Sequence, residues 1–410
     1  MTAEVRKKMS KFQTLVSFEE AAKRIFDTDW KKPSVEVLPA SDSMGRIAAA
    51  DIRARDPYPS AMRSLVDGYA IASSSVSGCS VSDPVRLQIS GLSAAGSPVR
   101  GKVPHSSCVE IYTGSVVPPG MDAVIPAEDA VRIGSFIEVT SPTKAGSNIA
   151  YPGEDIGKGE IIVRAGSIIN HWHLGAFLSS GIPDVEVYSR VVISIIPTGN
   201  ELFPESEDFI NNSTSLIIAS MIDGGWSTVR PLPPVHDSME EIASTIVENS
   251  SSDIIILTGG TSLGGMDNVP EAMNSLGSMP VFGGLRTRPG RTTTLYSLNG
   301  KPVLSVSGFP YAGSIMADLI LELILGKMLG TKNLRRRIVL PLSEDITVKA
   351  GYTSFIPGTV EEEKQGSIVQ PIRNGRVKRM SSLIGSQGLI IVPEGTEGVM
   401  AGNLVQFRIW

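Results

Sequence analysis

The sequence predicts a multidomain protein of α/β plus all-β class, because its pattern of strands and helices changes several times along 410 residues. Short strands between Gly, Pro and Ser turns run from about residue 64 to residue 140, which is typical of a small β domain. From Val191 onward strands alternate with helices, which predicts a central doubly wound parallel-sheet α/β domain. Runs of β character after residue 334 predict a C-terminal β-barrel or sandwich.

The β insertion divides the first part of the chain into two outer segments with helical character. We expect these segments, residues 1–58 and 147–188, to form one discontinuous N-terminal α/β domain. The expected order is then the insertion domain at 59–146, the α/β domain at 189–333 and the C-terminal β domain at 334–410.

The N-terminal segments contain clear helix and strand signals. Ser17 followed by Glu20 predicts a capped helix with one apolar face, made of Phe18, Ala22, Ile25 and Phe26. Val35 to Leu38 predicts a strand, and Ser43 to Ala48 predicts a turn into a second helical piece. Ile168 to Gly181 predicts another helix, ended by Gly181 and Pro183.

The α/β domain is predicted from apolar β-branched runs that alternate with capped helices. The predicted strands are Val191–Ile196, Thr228–Leu232, Ile254–Leu257 and runs near Val281, Thr293 and Val303. The predicted helices are Ser213–Ile222, one that opens at Asp237, and Ala312–Leu329. Ligands in such domains bind beyond the carboxyl ends of the strands, where Asn200, Asp237 and the Arg288–Thr292 loop are expected.

Composition limits the function. The net charge of −5 argues against a nucleic-acid binder, which is usually basic. Two cysteines, Cys79 and Cys108, are too few for a disulfide framework, so we expect a cytoplasmic protein. No apolar run reaches the length of about 20 residues that a membrane span needs, and no secretory signal is recognised. His171 and His173 flank Trp172, which is a weak metal pattern.

The stretch from Ser252 to Met273 is the strongest candidate for a ligand site. A short apolar strand is followed by Gly259 and Gly260, and then by Asp267 at an expected helix N-cap. Backbone N–H groups that converge at such a turn form an anion pocket. The alternative is a tight turn that binds nothing, since Gly-rich turns between strand and helix are common in this fold class.

Two further groups of charged residues indicate phosphate or oxyanion chemistry. Three arginines surround a Pro-Gly turn in the segment Arg286–Thr294, and guanidinium groups suit tetrahedral oxyanions; a solvated basic loop is the alternative. Several acids lie on turn-like segments, where they suit Mg²⁺ or simply cap a turn: Asp67, Glu128, Glu154, Asp155, Asp237 and Asp267. Because no nucleophile elbow or P-loop string is present, we expect charge clamping and positioning. Arg335 to Arg337 are expected to be a solvated junction rather than a binding patch.

Seven strings in order resemble one family, the MoeA and gephyrin E-domain proteins. They are SLVDGYA at Ser64–Ala70, YTGSVVPPGMDAVIPAED at Tyr112–Asp129, GSNIAYPGEDI at Gly146–Ile156, PTGNEL at Pro197–Leu202, TGGTSLGGMD at Thr258–Asp267, RPGRTTT at Arg288–Thr294 and RMSS at Arg379–Ser382. Each string alone is modest, but together they span nearly the whole chain. The resemblance implies an elongated homodimer of four-domain subunits whose central domain is MogA/MoaB-like.

The resemblance also implies an activity. Such proteins insert molybdenum into molybdopterin: adenylylated molybdopterin is cleaved in a Mg²⁺-dependent step that releases AMP, and molybdate is the second substrate. Tungstate is an alternative oxyanion, and a MogA/MoaB-type adenylyltransferase is a candidate partner.

The matching positions imply the residues of the site. The implied catalytic residues are Asp67, Thr113, Glu128, Asp155 and Asp237, of which Asp67, Glu128 and Asp155 are the implied metal ligands. The implied pterin and phosphate site consists of Thr198, Gly199, Asn200, Asn212, Thr258, Gly259, Gly260, Ser262 and Asp267. Arg288, Pro289, Arg291 and Ser382 are implied to bind the oxyanion.

The chain departs from the family pattern at three places. Arg288 and Arg291 replace two lysines, and Thr292 replaces a proline. The segment Val306–Pro310 lacks the family's asparagine, and Ser354 stands where an arginine is expected. These departures leave two alternatives to the transferase, namely a non-catalytic pterin carrier or scaffold, and a nucleotide-dependent enzyme with another substrate.

Overall fold

The computed structural model describes residues 15–260, 268–332, 334–364, 366–372 and 380–410. Its helices, in chain order, are α1 (Phe18–Asp27), α2 (His171–Ser179), α3 (Ser213–Ile222), α4 (Met239–Glu248), α5 (Asn268–Ser275), α6 (Pro310–Leu329) and α7 (Ser381–Ile384). Within these ranges no helix combines the length and the apolar character that crossing a membrane would require.

The strands follow the same order. They are β1 (Val35–Pro39), β2 (Ile52–Arg53), β3 (Arg63–Ser64), β4 (Gly68–Ile71), β5 (Val85–Ser93), β6 (Ser107–Ile111), β7 (Ala123–Pro126), β8 (Val131–Ile133), β9 (Phe136–Val139), β10 (Ile149–Ala150), β11 (Ile161–Val163), β12 (Asp184–Tyr188), β13 (Val191–Pro197), β14 (Ser227–Pro231), β15 (Ile254–Thr258), β16 (Met279–Phe282), β17 (Thr287–Arg288), β18 (Thr294–Leu298), β19 (Lys301–Val306), β20 (Arg337–Pro341), β21 (Ile346–Thr347), β22 (Thr353–Glu363), β23 (Gly366–Pro371), β24 (Gly388–Val392), β25 (Gly398–Val399) and β26 (Leu404–Ile409).

Helix α1 begins at the predicted cap and buries part of the predicted apolar face, since Ile25 is buried and Phe18 packs against the core. The Ser17 hydroxyl accepts a hydrogen bond from the Glu20 amide at 3.0 Å, which satisfies one of the free donors of the first turn. The helix packs against α6 and β16 through the buried residues Ala21 and Ile25. Phe26, which the predicted apolar face included, is 46% exposed, because the core lies on the side of α1 that faces α6.

Strands from before and after the insertion pair with each other. Strand β1 runs antiparallel to β12, and β2 runs antiparallel to β11, so the two outer segments fold together. The second helical piece predicted over Ser43–Ala48 is wrong. Ile47 and Ala48 form β-bridges with Ile168 and Val187 instead, so the pairing partners from the later segment override the local helical pattern.

Helix α2 lies within the predicted segment, and its start explains one histidine. The Asn170 side chain caps the helix by accepting from the Trp172 and His173 amides at 3.0 and 3.2 Å. His173 completes the cap, since its Nδ1 accepts from the Asn170 amide at 3.1 Å. This ring nitrogen is therefore occupied by a capping hydrogen bond at the N-terminus of α2.

The insertion folds as the β domain that the sequence predicts. Its sheet has the strand order β7-β4-β6-β5-β9-β8. Cys79 and Cys108 are both free and both belong to the core of this sheet. Burial raises the pKa of the Cys108 thiol to about 12, which keeps this thiol protonated and unreactive.

The sheet of the α/β region has the order β14-β13-β15-β19-β18-β16. Its first four strands are parallel, as the sequence predicts. Strand β18 is antiparallel to both of its neighbours, so the prediction of a wholly parallel sheet is wrong at this edge. The cause is a two-residue turn at Asn299 and Gly300, which both have positive φ of 53° and 77°. An Asn-Gly pair between two strands is a strong hairpin signal. The prediction instead followed the alternation of strands and helices in this region and did not include a hairpin.

The C-terminal sheet has the order β17-β22-β24-β26-β20, with β23 also paired to β22. The expected solvated junction at Arg335–Arg337 is wrong, because Arg335 and Arg337 enter an ion-pair network. Arg335 donates to Asp318 at 3.1 Å and Arg337 donates to Glu322 at 3.2 Å. Both acids belong to α6, so these arginines join the C-terminal sheet to the preceding region.

Candidate active site

A cavity of about 520 Å³ lies at the carboxyl edge of the parallel strands β13, β15 and β19. Because these neighbouring strands run in the same direction, the loops that leave them converge at one edge. The lining residues come from these loops and from the helix starts beside them: Thr198, Glu201, Leu202, Ile210, Asn211, Asn212, Ser213, Thr214, Thr258, Gly259, Gly260, Thr292, Ser307, Gly308, Phe309 and Pro310. The Gly-rich turn after β15 and one end of the Arg288–Thr292 loop therefore both line the cavity.

Glycine is required at the turn after β15. Gly259 has a φ of +105°, and a Cβ atom placed on it would lie 2.1 Å from the carbonyl oxygen of Thr198. The loops after β13 and β15 thus touch backbone to backbone, and no larger residue fits between them. Gly260, with a φ of +61°, continues the same turn.

The hydrogen bonds of this turn correct part of the predicted anion pocket. The Gly259 amide donates to the Val306 carbonyl at 3.0 Å, and the Gly199 amide donates to the Val235 carbonyl at 3.1 Å. These N–H groups hold adjacent loops together and are not available to a ligand. The predicted ligands Ser262 and Asp267 lie outside the described residues.

Two helices begin at the cavity. Asn212, at the N-cap of α3, accepts from the Ser215 amide at 3.2 Å and also lines the cavity. Phe309 and Pro310, at the start of α6, also line the cavity, and the two helix starts adjoin, since the Thr214 hydroxyl donates to the Gly308 carbonyl at 2.5 Å. The positive ends of two helix dipoles therefore face the same space, which favours an anionic ligand.

Two buried oxygen atoms, one on the cavity-lining Thr198 and one on Asp237 beside Gly260, have no hydrogen-bond partner among the described residues. Thr198 is only 1% exposed, and its Oγ1 is unpaired. Asp237 Oδ1 is likewise buried and unpaired, and it lies 3.8 Å from the position that a Cβ atom of Gly260 would take. Buried polar atoms are almost always paired in folded proteins, so these two are candidates for contacts with a bound ligand. The Thr258 hydroxyl is already 3.1 Å from the Ser215 hydroxyl.

Asn200 connects the loops that follow β13 and β14. Its Oδ1 accepts from the Asp237 amide at 3.1 Å and lies 3.2 Å from Nδ1 of His236. The His236 ring stacks on Phe203 with the ring centroids 3.7 Å apart. Asn200 therefore fixes the backbone that carries the Asp237 carboxylate.

The arginine loop reaches the cavity by a route that the sequence did not predict. The loop precedes β18, and β18 is antiparallel, so its first residues lie at the carboxyl edge of the parallel strands. Thr292 lines the cavity, whereas Arg288 and Arg291 are exposed and are not among its lining residues. Pro289 and Gly290 form the turn between them, and Gly290 packs so closely on Met316 that a Cβ atom would lie 2.2 Å from Met316 Cγ.

The third arginine of the predicted clamp has a structural role. Arg286 pairs with Glu394 at 2.6 Å and donates to the Leu15 carbonyl at 2.8 Å. Ser382, in α7, is 4% exposed, so its side chain is buried.

Three other predicted acids, Asp67 and Glu128 in the insertion and Asp155 in the segment after it, are not among the residues that line the cavity. Asp67 Oδ1 accepts from both the amide and the hydroxyl of Thr113, at 2.7 and 2.8 Å. The hydrogen bond from the Thr113 amide, and after it the bond from the hydroxyl, hold the pKa of Asp67 below its usual range. Glu128 is in the adjoining turn, since the Ala127 amide donates to the Asp67 carbonyl at 3.0 Å. The Asp155 amide donates to Tyr58, in a different loop.

The predicted acids of the insertion and the predicted residues of the cavity do not come together within the described part of one chain. No described residue of the insertion lines the cavity. Among the described residues, no three His, Cys, Asp or Glu side chains group closely enough to hold a metal ion. Sequence reasoning missed four further residues that line the cavity. In the sequence these residues mark only the end of a strand or the start of a helix: Ser307, Gly308, Phe309 and Thr214.

The fold and the cavity define a multidomain protein whose α/β domain has a ligand-sized cavity at the carboxyl ends of its parallel strands. Residues 16–181 match the model described as MoeA N-terminal region (domain I and II). Residues 194–327 match a probable molybdopterin binding domain, and residues 339–410 match MoeA C-terminal region (domain IV). With these three matches in order along the chain, the protein belongs to the MoeA family, and the resemblance found in the sequence is confirmed.

Similar proteins agree with this assignment over nearly the full length. The chain is 27% identical to the molybdopterin molybdenumtransferase of Bacillus subtilis, covering 96% of this chain and 94% of the relative. It is also 27% identical to a protein of the same name from Staphylococcus epidermidis, covering 96% and 95%. The crystal structure of a molybdopterin biosynthesis MoeA protein from Pyrococcus horikoshii superposes with a TM-score of 0.84 at 27% identity, covering 97% of this chain and 100% of that one.

Proposed function

We propose that this protein is an enzyme of molybdenum cofactor biosynthesis, a molybdopterin molybdenumtransferase. Its substrates are then adenylylated molybdopterin and molybdate, with tungstate as an alternative oxyanion, and AMP is released. The names of the Bacillus subtilis and Staphylococcus epidermidis relatives support this activity. The observation that carries the proposal is the cavity at the strand ends, which is lined by two helix starts and by Thr198 with its unpaired hydroxyl.

The cavity supports binding of the pterin nucleotide by position and shape. The helix starts at Asn212 and Pro310 favour phosphate groups, and the glycine turn at Gly259 holds the loops after β13 and β15 together at the cavity wall. In this proposal the Thr198 hydroxyl donates to the bound pterin nucleotide, and Asn200 orients Asp237 towards it.

Magnesium fits the donor set at the cavity. Mg²⁺ keeps several waters and uses only one or two carboxylates beside substrate phosphates. The buried, unpaired Oδ1 of Asp237 is such a carboxylate atom, and Asp67, Glu128 and Asp155 would supply further ones. When bound, the ion neutralises charge on the phosphate groups during adenylate cleavage.

We further propose that the protein works as a homodimer. Asp67, Glu128 and Asp155 are not among the residues that line the cavity of their own chain, so in this proposal they act in the cavity of the partner subunit. A two-fold dimer places the two sets of residues together twice. A cytoplasmic location and an upstream MogA/MoaB-type adenylyltransferase as partner belong to the same proposal.

Purified protein incubated with adenylylated molybdopterin, Mg²⁺ and molybdate provides the test. We expect AMP release together with formation of the cofactor, and a parallel reaction with tungstate covers the alternative oxyanion. Tight pterin binding without AMP release, with either oxyanion, would instead identify a non-catalytic carrier. Absence of both binding and AMP release would reject the assignment of the cavity.

A further inference from the structure

A second cavity, of about 120 Å³, lies where α3, α6 and β26 meet. Its lining includes the end of α3, four residues of α6 between Asp318 and Leu325, and Arg408 on β26. It shares no lining residue with the candidate active site, which is formed at the starts of α3 and α6. A ligand in the second cavity therefore leaves the candidate active site free.

One part of the second cavity is apolar. Met221, Trp226, Leu321, Leu325 and Leu334 all contribute to its lining. Leu321 and Leu325 are buried, and the other three side chains are half-buried. A hydrocarbon group that binds against these side chains is removed from water, which favours its binding.

The other part of the cavity contains an ion-pair network around two acids of α6. Asp318 and Glu322 are one turn apart and both are buried. Asp318 accepts through one oxygen from Arg335 at 3.1 Å and through the other from Arg408. One oxygen of Glu322 accepts from Arg408 at 2.9 Å and from Arg337 at 3.2 Å. Its second oxygen accepts from the Arg335 amide at 3.4 Å, so all four carboxylate oxygens are occupied.

One donor of this network has no acceptor. The Nε and Nη1 atoms of Arg408 contact Glu322 and Asp318, whereas its Nη2 atom is buried and unpaired among the described residues. The side chain of Arg408 is 0% exposed, and buried donors are almost always paired in folded proteins. Because the oxygens of both acids are already occupied, the missing acceptor has to come from a molecule in the cavity.

The charge of the network indicates the kind of acceptor. Arg335, Arg337 and Arg408 face two acids, so the network carries one net positive charge. Asp223 also lines the cavity, but it is exposed, and solvent screens its charge. A carboxylate would balance the network and accept a charge-assisted hydrogen bond from Arg408 Nη2.

The volume limits the size of the ligand. A cavity of about 150 Å³ lined by apolar side chains holds one benzene molecule, so the second cavity suits a ligand of about six non-hydrogen atoms, such as butyrate. We propose that it is a binding site for a small monocarboxylate with a short apolar chain. The carboxylate accepts from Arg408, and the chain packs against Leu321, Leu325 and Leu334. This site is independent of the proposed transferase reaction, since the two cavities share no lining residue.

Saturation-transfer NMR with the purified full chain and sodium butyrate tests the site. Butyrate should bind about tenfold more tightly than 1-butanol, which has the same chain but no charge for Arg408 to pair with. Acetate, which lacks two methylene groups, should bind about tenfold more weakly than butyrate, because it leaves the apolar part of the cavity unfilled.

Two matched variants locate the binding. In Leu334→Phe the larger ring takes up space in the cavity, so butyrate should bind about tenfold more weakly. Leu340→Phe is the control, because Leu340 is also half-buried but does not line the cavity; it should bind butyrate as the wild type does. Neither substitution removes a member of the ion-pair network, and circular dichroism checks that both variants are folded.

The outcomes separate a ligand site from a cavity that holds only water. Butyrate binding that is weakened in Leu334→Phe and retained in Leu340→Phe supports the site, whether or not the protein releases AMP. Absence of butyrate binding, or binding that Leu334→Phe leaves unchanged, would overturn it, and water would then be the acceptor for Arg408. Equal affinities for butyrate and 1-butanol would overturn the assignment to a carboxylate.

Discussion

The Nε atom of Arg408 donates to a carboxylate oxygen of Glu322 across 2.9 Å, and both side chains are buried. Arg408 is on the last strand, β26, and Glu322 is on the long helix α6, so this contact joins the end of the chain to the α/β region. Arg408 also contacts Asp318 one turn earlier on the same helix. The network fixes the C-terminal sheet relative to the helix α6, whose start lines the cavity.

Removal of Arg408 should strongly destabilise the protein. Arg408→Met leaves Asp318 and Glu322 buried with fewer positive partners, and breaking a buried ion pair by removing one partner costs about 3–5 kcal/mol. Urea unfolding followed by tryptophan fluorescence should show a markedly lower midpoint. The matched control is Arg337→Met, since Arg337 contacts the same Glu322 but is 43% exposed, and it should cost about 1 kcal/mol or less. Equal losses in both variants would contradict this account of the network.

Substitution of Gly259 should disrupt the cavity. In Gly259→Ala the new Cβ atom would lie 2.1 Å from the Thr198 carbonyl oxygen, and the φ of +105° is unfavourable for alanine. We expect loss of pterin binding in a fluorescence titration. Gly277→Ala is the matched control, because Gly277 also has positive φ but a Cβ atom there would meet nothing within 4 Å; it should cost about 1 kcal/mol of stability and leave binding intact. Normal binding by Gly259→Ala would show that the loop can move away from Thr198.

The ionisation of Asp67 should depend on Thr113. Both hydrogen bonds from Thr113 favour the charged carboxylate, so the pKa of Asp67 is lowered in the folded protein. The stabilisation is therefore present above the unfolded pKa of about 4 and is lost as the pH falls through the lower folded value. Thr113→Val removes only the hydroxyl bond, so the pKa should rise part of the way towards its usual value. Carboxyl ¹³C NMR titration measures this shift, and an unchanged pKa would mean that the backbone bond alone sets it.

Mixed dimers should recover activity if the site is shared between subunits. Asp67→Asn and Asp237→Asn are each expected to abolish AMP release. When the two inactive variants are unfolded and refolded together, random pairing should restore about a quarter of the wild-type activity, because half of the dimers contain one intact site. Each variant refolded alone is the control. If the mixture remains inactive although mixed dimers form, Asp67 and Asp237 act in the same subunit's site.

The local elements could be predicted because their signals are contained in short stretches of sequence. Ile254–Leu257 has no polar side chain, and β15 is buried at every position. Ser17 and Ser238 cap helices where hydroxyls precede acidic first turns. The family resemblance could also be predicted, because its motifs are contiguous strings.

The partners of charged and turn residues could not be predicted in the same way. Arg286 and Arg335 are far in sequence from the acids that bind them, so the sequence alone did not separate these structural arginines from the exposed Arg288 and Arg291. The amide of Gly259 is likewise used by Val306, which a local reading of the glycine turn could not show.

The sequence by itself therefore determined the class of fold, the order of its elements and the family. Tertiary structure decided which donors stay available and how the arginine loop reaches the cavity, through the antiparallel direction of β18. It also decided that the acids of the insertion lie apart from the cavity of their own chain. The physical reason is that helix caps and buried strands depend on neighbours within a few residues, whereas ion pairs and cavities depend on contacts between distant segments, which only the packed chain specifies.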